Sequence, residues 1–442
     1  MNRFFLKLSS LLIAAVMLLA MMLTGCGAGS AQTPDASTQA AANQVAEQTT
    51  AEAVQEPAEA PKENVKITFW HTYGDVEEPF FNDSILPLFQ EKYPNIQVES
   101  MRQEGGQFNQ LVTTALGTGQ APDVARIDLT NVATYANQDA LLSLDTMVGF
   151  QELKDQCLEG PLSTNLFKGK YYGLPLDTNC KAAVMNMDIM KKLGFTEPPK
   201  TMEEIIDASK KLSAGKYTIN VSGVGDWDTY AYFWLFGGVL TDDGFTKATG
   251  YMDSPQSIAA LQTMLDLHNQ KVFTIRDIDG TLDAWDDKAE YAMFLEGPWY
   301  FSSKPDWKAK NKIPALIPTY AGKSASVVGG EDIVVFKTSK YSQEAFEFIK
   351  FMLSDEVQTL MASKGQMPVL KNSIDKQQIK NNEVFSVYQK QLESARTRIP
   401  SPQNSAIGQY WSEEITKAFK GESSAADALK SAATKIDAEL AK

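Results

Sequence analysis

Polar side chains recur beside the ends of the predicted β-strands, and their types suit the binding of a polar ligand. These side chains are His71, Tyr73, Asp128, Asp177, Asn179 and Glu331. In open α/β sheets, ligands lie in the crevice outside the carboxyl ends of the strands. The sequence therefore predicts that these six residues border a binding crevice.

Aromatic residues form the second part of the pattern. Trp227 and Tyr230 lie in the glycine-flanked segment GVGDWDTYAYFWLFGG, and Trp299 lies in FLEGPWY. A neutral polyol needs aromatic faces for its C–H patches and paired hydrogen-bonding groups for its hydroxyls. The combination favours a sugar-like ligand, although core packing also explains each ring taken alone, Trp234 in particular.

Most catalytic and cofactor motifs fail on residue type or spacing. His71 and His268 are the only histidines in the sequence, so a multi-histidine metal site is excluded, and His268 falls on the apolar face of its predicted helix. The three cysteines form no CxxC pair, Gly322-Lys323-Ser324 lacks the first glycine of a phosphate loop, and no GxSxG is present. We therefore predict no metal and no cofactor.

The overall charge excludes one further class of partner. The 442 residues carry 41 Lys+Arg against 55 Asp+Glu, a formal net charge of −14. Binding to a phosphate backbone needs a basic face, so we expect no nucleic-acid partner. The hydrophobic fraction of 43% is that of a soluble globular protein.

The N-terminus has the pattern of an export signal. A basic start with Arg3 and Lys7 precedes an apolar run over 11–23 that is too short to span a membrane, and Leu23-Thr24-Gly25-Cys26 resembles the cleavage site of bacterial lipoproteins. This predicts a signal peptide over 1–25 and a lipid on Cys26 that anchors the chain to the extracytoplasmic face of the cell membrane. An ordinary signal peptide with a chance cysteine is the alternative.

Residues 26–63 are predicted to contain the lipidated cysteine, Cys26, followed by a disordered tether. The segment after Cys26 has no aromatic residue and is rich in Ala, Glu, Gln, Thr and Pro. Cys157 and Cys180 would remain as the only thiols. They could form a disulfide outside the cell or stay as independent buried thiols.

The body of the chain alternates strands and helices. Strands are predicted at 66–70, 96–101, 123–127, 181–187 and 332–336, with helices over 77–93 and 108–116 and a mostly helical region from Gln343 onward. A further helix should begin with Ser254 as its N-cap and Pro255 in its first turn. The βαβαβ order at the start indicates an α/β fold with a mostly parallel sheet.

With these segments in order, the sequence resembles the bacterial extracellular solute-binding proteins that deliver sugars to ABC importers, a family that includes maltose-binding protein. The resemblance covers nearly all of 64–442. The stretches that carry it are KITFWHTYG (66–74), APDVARIDLTNVATYANQDALLSLD (121–145), YGLPLDTNCKAAVMNMDIMKKLGF (172–195), PPKTMEEIIDASKKL (198–212), AMFLEGPWY (292–300), VVGGEDIVVFKTSKYSQEAFEFIKFML (327–353), SPQNSAI (401–407) and ADALKSA (426–432).

The resemblance implies a two-lobed fold of the periplasmic-binding-protein type, type II, with two or three hinge crossings and a helical C-terminal part. It implies a first lobe of 64–178 plus 329–367 and a second lobe of 183–324 plus 372–442. The crossings would lie near 177–183, 324–331 and 366–371. The lobes would close on a ligand between them.

The family pattern also implies roles for single residues. Trp299 resembles the aromatic platform of the GPW motif, Trp227 or Tyr230 the aromatic of the second lobe, and Asn179 stands at a ligand-contacting position. The position of a late stacking tryptophan is Gly408 here, with Tyr410 and Trp411 displaced from it. A maltodextrin ligand is therefore unsupported, whereas a sugar in general is supported.

The resulting prediction is a non-catalytic, lipid-anchored, monomeric substrate-binding protein that delivers a sugar or short oligosaccharide to the permease subunits of an ABC importer. One alternative keeps the fold and replaces the sugar with a polyamine or another small cationic or polar solute, which the carboxylates would favour. Another is a glycoside hydrolase with paired carboxylates. Glu331 and Asp332 are poor partners for that chemistry, because adjacent residues of a strand point to opposite faces.

Overall fold

The predicted βαβαβ alternation is present at the start of the folded chain. The computed structural model describes residues 63–211 and 219–442; the predicted signal peptide, Cys26 and the predicted tether up to residue 62 lie outside these ranges. The strands are β1 (Val65–His71), β2 (Ile96–Arg102), β3 (Val124–Asp128), β4 (Leu166–Phe167), β5 (Lys170–Tyr171), β6 (Gly173–Cys180), β7 (Ala182–Asn186), β8 (Ile219–Val221), β9 (Phe273–Ile275), β10 (Met293–Glu296), β11 (Lys312–Ala315), β12 (Ser326–Val335) and β13 (Ala395–Arg396).

Helices cover the faces of the sheets and most of the C-terminal region. They are α1 (Glu77–Phe80), α2 (Leu86–Lys92), α3 (Phe108–Thr118), α4 (Val132–Asn137), α5 (Phe150–Gln156), α6 (Glu159–Ser163), α7 (Met187–Lys192), α8 (Met202–Lys211), α9 (Asp226–Leu235), α10 (Pro255–Asn269), α11 (Arg276–Asp279), α12 (Trp299–Ser303), α13 (Ser342–Met352), α14 (Asp355–Ala362), α15 (Lys371–Ile374), α16 (Gln377–Lys380), α17 (Glu383–Leu392), α18 (Asn404–Phe419) and α19 (Ala425–Leu440).

Local sequence signals explain where several helices begin and end. The Ser254 hydroxyl accepts a hydrogen bond from the Ser257 N–H at 3.2 Å, and Pro255 occupies the first turn of α10, as predicted. Gly119 ends α3 in the left-handed conformation, with a φ of 69°. His268, near the end of α10, pairs with Asp279 at 3.0 Å, which agrees with a structural role.

Two separate sheets form two lobes. The first sheet has the order β13-β12-β3-β1-β2, with β6 paired to β12, and β1 is parallel to both β2 and β3. The second sheet has the order β11-β7-β10-β8-β9. Each sheet has its own apolar core: Phe69 and Phe348 are buried in the first, Phe233 and Trp411 in the second.

The chain passes between the lobes within the paired strands. β6 belongs to the first sheet and ends at Cys180, and β7 of the second sheet begins two residues later at Ala182. In β12, Val327 is buried in the core of the second lobe and Ile333 in that of the first. The lobe boundaries and the third crossing, near 366–371, stay predictions.

Two features bear on the predicted localisation and redox state. Among the helices in 63–211 and 219–442, none is long and apolar enough to cross a membrane.

Cys157 and Cys180 are both buried free thiols, so the disulfide alternative is wrong. They lie in different clusters, Cys157 with the core of the first lobe and Cys180 beside Tyr300 and Tyr388.

Candidate functional site

A cleft between the two lobes consists of two adjoining cavities. One, of about 420 Å³, is lined by amides and hydroxyls, including Asn109, Thr130 and Asn404, and we call it the amide cavity. The other, of about 490 Å³, contains the indoles of Trp285 and Trp299, and we call it the indole cavity. Both are lined by Thr72, Arg126 and Glu331, which form the floor between them.

Arg126 is the polar centre of this floor. It extends from β3, is only 4% exposed, and lies over the ring of Tyr73 at 4.8 Å. Its guanidinium donates to the Thr72 hydroxyl at 2.9 Å, to Asp177 at 3.2 Å and to the amide oxygen of Gln366 at 3.3 Å. Burial opposes its charge, but the carboxylates of Glu331 and Asp177 outweigh burial and raise the pKa of Arg126. The guanidinium therefore stays charged.

Two carboxyl groups share this one guanidinium. Asp177 in β6 and Glu331 in β12 are direct cross-strand partners, and Glu331 Oε2 lies 2.8 Å from Nη2 of Arg126. Burial raises the pKa of both carboxyl groups above its ordinary value, although Arg126 opposes this effect. The Asp177 side chain is 4% exposed and that of Glu331 is 22% exposed, so the two carboxyl groups share one cation at the border of the cleft.

A second ion pair borders the amide cavity. Nη2 of Arg398 lies 2.8 Å from Asp128 Oδ2 and 3.0 Å from Oδ1. The Thr130 N–H also donates to Asp128, at 2.9 Å. Burial would raise the pKa of Asp128, but the charge of Arg398 and these hydrogen bonds outweigh burial and lower it. Asp128 is thus an ionised carboxylate already occupied by partners within the chain.

The indoles of Trp227 and Trp299 stack on each other between the cavities. Their centroids are 6.2 Å apart with an interplanar angle of 23°, and both side chains are partly exposed. Trp299 begins α12 directly after Pro298, which stiffens its backbone, and its ring lies over Gly297, where a Cβ would be 2.2 Å from the indole. Lys181 lies 5.1 Å from the Trp227 ring centroid and pairs with Asp228 at 2.6 Å.

Asn179 packs against the backbone of the neighbouring strand. It is 3% exposed, and its Oδ1 has no hydrogen-bond partner. A Cβ at Gly329 would be 2.3 Å from this oxygen and 2.7 Å from the Trp227 ring, so only glycine allows the three residues to approach so closely. Asn179 therefore brings an unsatisfied acceptor to the edge of the indole pair.

The structure buries three of the predicted site residues in the cores. His71 and Tyr73 are 0% and 1% exposed, within a ring cluster with Phe69 and Phe81. Tyr230 is 1% exposed, and Trp411 contacts its ring edge to face at 4.8 Å. Large apolar faces at these positions are used for packing, so none of the three presents its ring to the cleft in this conformation.

Tyr410 faces a neighbouring helix. Its hydroxyl lies 3.5 Å from Glu439, and Lys435 lies 5.3 Å from its ring centroid, both in α19. By contrast, Asp128, Glu331 and Trp299 line the cavities. Asp177 pairs with Arg126 of the floor, Trp227 stacks on Trp299, and Asn179 lies against Gly329. As ligand contacts, all ten residues stay predictions.

Sequence reasoning missed three important residues. Arg398 follows β13, Lys181 lies between β6 and β7, and Gln366 connects Arg126 to Glu77 through its side-chain amide. Lys181 and Gln366 lie within predicted hinge crossings, and Arg398 closely precedes the matching stretch at 401–407. For Lys181 and Gln366, the sequence signal that could have identified them was a charged or amide side chain within a predicted hinge crossing.

The cleft offers no group of metal ligands. Within the described ranges, no cluster of three or more His, Cys, Asp or Glu side chains has the arrangement of a metal site. Glu296, near the indole cavity, is instead held by hydrogen bonds from Trp285 Nε1 at 3.0 Å and from the Gly297 N–H at 2.8 Å. Burial raises the pKa of this carboxyl group, although Lys181 opposes the effect.

Comparisons with known proteins agree with this architecture. The chain is 26% identical over 309 residues to the arabinooligosaccharide-binding protein of Bacillus subtilis, covering 66% of this chain and 70% of that protein. The GacH receptor of Streptomyces glaucescens superimposes with a TM-score of 0.77 at 21% identity, covering 85% and 98% of the two chains. An ABC transporter solute-binding protein of Thermotoga lettingae gives a TM-score of 0.74 at 26% identity, covering 85% and 99%.

These similarities confirm the predicted two-lobed α/β fold with its helical C-terminal part. The family model described as bacterial extracellular solute-binding protein matches residues 87–386, which is more than half of the chain. The chain therefore belongs to the bacterial extracellular solute-binding protein family.

Proposed function

We propose that this protein is the substrate-binding component of an ABC importer, and that it binds a neutral sugar or short oligosaccharide in the cleft between its lobes. It is held on the extracytoplasmic face of the cell membrane by a lipid on Cys26 and has no catalytic activity. It acts as a monomer and hands its ligand to the permease subunits. Closure of the lobes on the ligand gives the permease a shape to recognise.

The chemistry of the cleft carries this proposal. Its charges are compensated within the chain, Arg126 by Asp177 and Glu331 and Arg398 by Asp128. The lining also offers amides, hydroxyls and indoles, together with further charged residues, namely Asp226 in the amide cavity and Asp75, Glu77, Arg102 and Lys304 in the indole cavity. A neutral polyhydroxylated ligand uses the amides, hydroxyls and indoles, whereas a charged ligand that binds Arg126 or Arg398 would have to displace an existing ion pair.

The relatives support the same ligand class. The Bacillus subtilis relative is named for arabinooligosaccharides, the GacH receptor was solved with acarbose, and the Thermotoga lettingae protein was solved with α-D-tagatose. These ligands are carbohydrates of different sizes. They support a sugar in general and do not select one for this chain.

The two alternatives have weaker geometric support. A polyamine would need free carboxylates, but Asp128 and Asp177 already pair with arginines. For a hydrolase, Glu331 and Asp332 are separated: Glu331 contacts Arg126 at the cleft, whereas Asp332 is 2% exposed and accepts from Thr164 and Asn165. The two carboxyl groups therefore do not face one bond.

A thermal-shift screen of the purified protein against sugars, polyamines and amino acids tests the ligand class. A ligand at 100 times its dissociation constant adds about 2.7 kcal/mol of stability. Stabilisation by a sugar supports the proposal. Stabilisation by spermidine or an amino acid alone would contradict it.

Trp299 provides the sharper test once a sugar is found. Trp299→Ala should weaken binding of that sugar roughly ten- to hundredfold, because it removes about 1 to 3 kcal/mol of stacking while the ligand-free melting temperature stays near normal. Isothermal titration calorimetry and a melt of the ligand-free variant measure both. Trp307→Ala is the matched control, since this tryptophan packs against Phe301 away from the cleft. Unchanged affinity in Trp299→Ala would exclude the platform role.

The lipid anchor has its own test. Cys26→Ser should release the protein from the membrane fraction without a change in its melting temperature, because the substitution removes the lipid attachment point and lies well before the first described strand, β1. Fractionation followed by immunoblotting measures the distribution. Wild-type retention of the variant in the membrane fraction would contradict lipidation at this residue.

A further inference from the structure

A direct ion pair joins the two lobes at one edge of the amide cavity. Asp128 ends β3 in the first sheet, whereas Ile399, the neighbour of Arg398, is buried in the core of the second lobe. Both carboxylate oxygens of Asp128 lie within 3.0 Å of one guanidinium nitrogen of Arg398. This pair therefore connects the two lobes directly.

A second contact closes the same edge. The Thr134 hydroxyl, in α4 of the first lobe, donates to the carbonyl of Pro402 at 2.9 Å. Pro402 lies just before α18, whose residue Trp411 is buried in the core of the second lobe. Two polar contacts of different chemistry thus meet along one side of the cleft.

Both partners of the ion pair are held in place from behind. Thr130 donates to Asp128 through its N–H and its hydroxyl. Arg398 is 8% exposed and lies 5.6 Å from the ring centroid of Trp227. Because both side chains are fixed on their own lobes, the pair loses little side-chain entropy when the lobes meet.

The opposite edge of the cleft has a different arrangement. Arg102 pairs with Asp75 at 2.7 Å and with Glu78 at 3.1 Å, all on the first lobe. Across the indole cavity, Lys304 lies 4.0 Å from Asp287, both within the second lobe. The charged residues at this edge thus have partners on their own lobes, so opening it would break no ion pair among those named, although the Ser302 hydroxyl donates across the lobes to the Lys364 carbonyl at 2.6 Å.

We propose that Arg398 is a positioning residue: its pair with Asp128 holds the lobes together at the amide-cavity edge before a ligand arrives, so that a ligand enters from the indole-cavity edge. We call this ion pair the latch, and Asp128 contributes to ligand affinity by forming it. The proposal concerns the ligand-free chain and does not depend on which ligand is bound. A protein whose competent conformation is populated in advance binds more tightly, in proportion to that population.

Spin-label distances in the ligand-free protein test the latch. Labels at Gln138→Cys and Gln409→Cys, both exposed, flank the edge that carries the Arg398–Asp128 pair, one directly after α4 and the other on α18. The full chain with Cys26→Ser serves as background, because Cys157 and Cys180 are buried and burial raises the pKa of each thiol to about 12. Unfolding in guanidinium and refolding removes any bound ligand before measurement.

Arg398→Gln is expected to shift the distance distribution toward longer separations, with the ratio of closed to open lobes falling on the order of tenfold. Asp128→Asn should produce the same shift, and the double variant no further one. Arg398→Lys, which keeps the charge, should stay closer to wild type. Arg396→Gln removes the same charge from an exposed residue two positions away and should change nothing.

Melting curves confirm that each variant is folded before its distances are compared. A wild-type distribution in Arg398→Gln would overturn the proposal. An equal shift in Arg396→Gln would also overturn it, because the effect would then come from net charge. The distances are measured in the ligand-free protein, so they do not depend on the result of the sugar screen. Either proposal can therefore be wrong while the other is right.

Discussion

Replacement of Arg126 by methionine is expected to lower the free energy of unfolding by about 3 to 5 kcal/mol and to weaken ligand binding at the same time. The variant would leave the buried Asp177 and the partly exposed Glu331 side by side without their cation. It would also leave the Thr72 hydroxyl and the Gln366 amide oxygen without their donor. Urea denaturation followed by circular dichroism measures the loss.

Two further variants separate this effect from a general loss of charge. Arg102→Met removes an arginine whose side chain is 33% exposed and paired at the surface, so it should cost only about 0 to 1 kcal/mol. Adding Asp177→Asn and Glu331→Gln to Arg126→Met removes the unbalanced carboxylates and should recover much of the stability. If Arg126→Met costs no more than Arg102→Met, the central role of Arg126 is wrong.

The fold was largely predictable because its signals are local or lie on the residues that match the family. The periodicity of β1, the Ser254 cap and the alternation of strands and helices each depend on neighbouring residues. The predicted strand at 332–336 forms, but as the end of a longer strand, β12. Its extension to Ser326 depends on pairing with β6 and β13, which lie far away in the sequence.

The site was less predictable because an aromatic or polar residue near a strand end serves packing as readily as binding. Tyr230 and Trp227 share α9 and are three residues apart, yet Tyr230 faces the core and Trp227 faces Trp299. The relative placement of α9 and α18 decides between these outcomes, and no local pattern encodes it. Arg398 shows the same difficulty, because its partner Asp128 is 270 residues away.

His71 is a predicted site residue that is instead buried and hydrogen-bonded in the core of the first lobe. Its Nδ1 accepts a hydrogen bond from the Tyr73 N–H at 3.3 Å, which places the ring proton on Nε2, where it is donated to the Ser100 hydroxyl at 2.8 Å. Both ring nitrogens are thus satisfied by the neutral imidazole. Burial, with smaller contributions from the charges of Arg126 and Arg102, lowers the pKa of His71 from 6.5 to about 3.

This shift predicts a loss of stability in acid. Below pH 6.5 the unfolded chain binds a proton at His71 that the folded chain does not bind until about pH 3, so the stability present above pH 6.5 is lost as the pH falls through this window. The full loss is about 4 to 5 kcal/mol, at 1.36 kcal/mol for each pKa unit. His71→Phe removes the titration and should flatten the acid limb of the stability curve, whatever its effect at neutral pH.

Comparing how the unfolding free energies of wild type and His71→Phe depend on pH separates the contribution of His71 from that of the carboxyl groups. Asp177, Glu331 and Asp332 have raised pKa values in the folded state and therefore favour folding in acid, in the variant as in the wild type. Their contribution cancels when the two curves of unfolding free energy against pH are subtracted. If wild type and His71→Phe lose stability in parallel between pH 6.5 and 4, His71 is not neutral in the fold and the assigned hydrogen bonds are wrong.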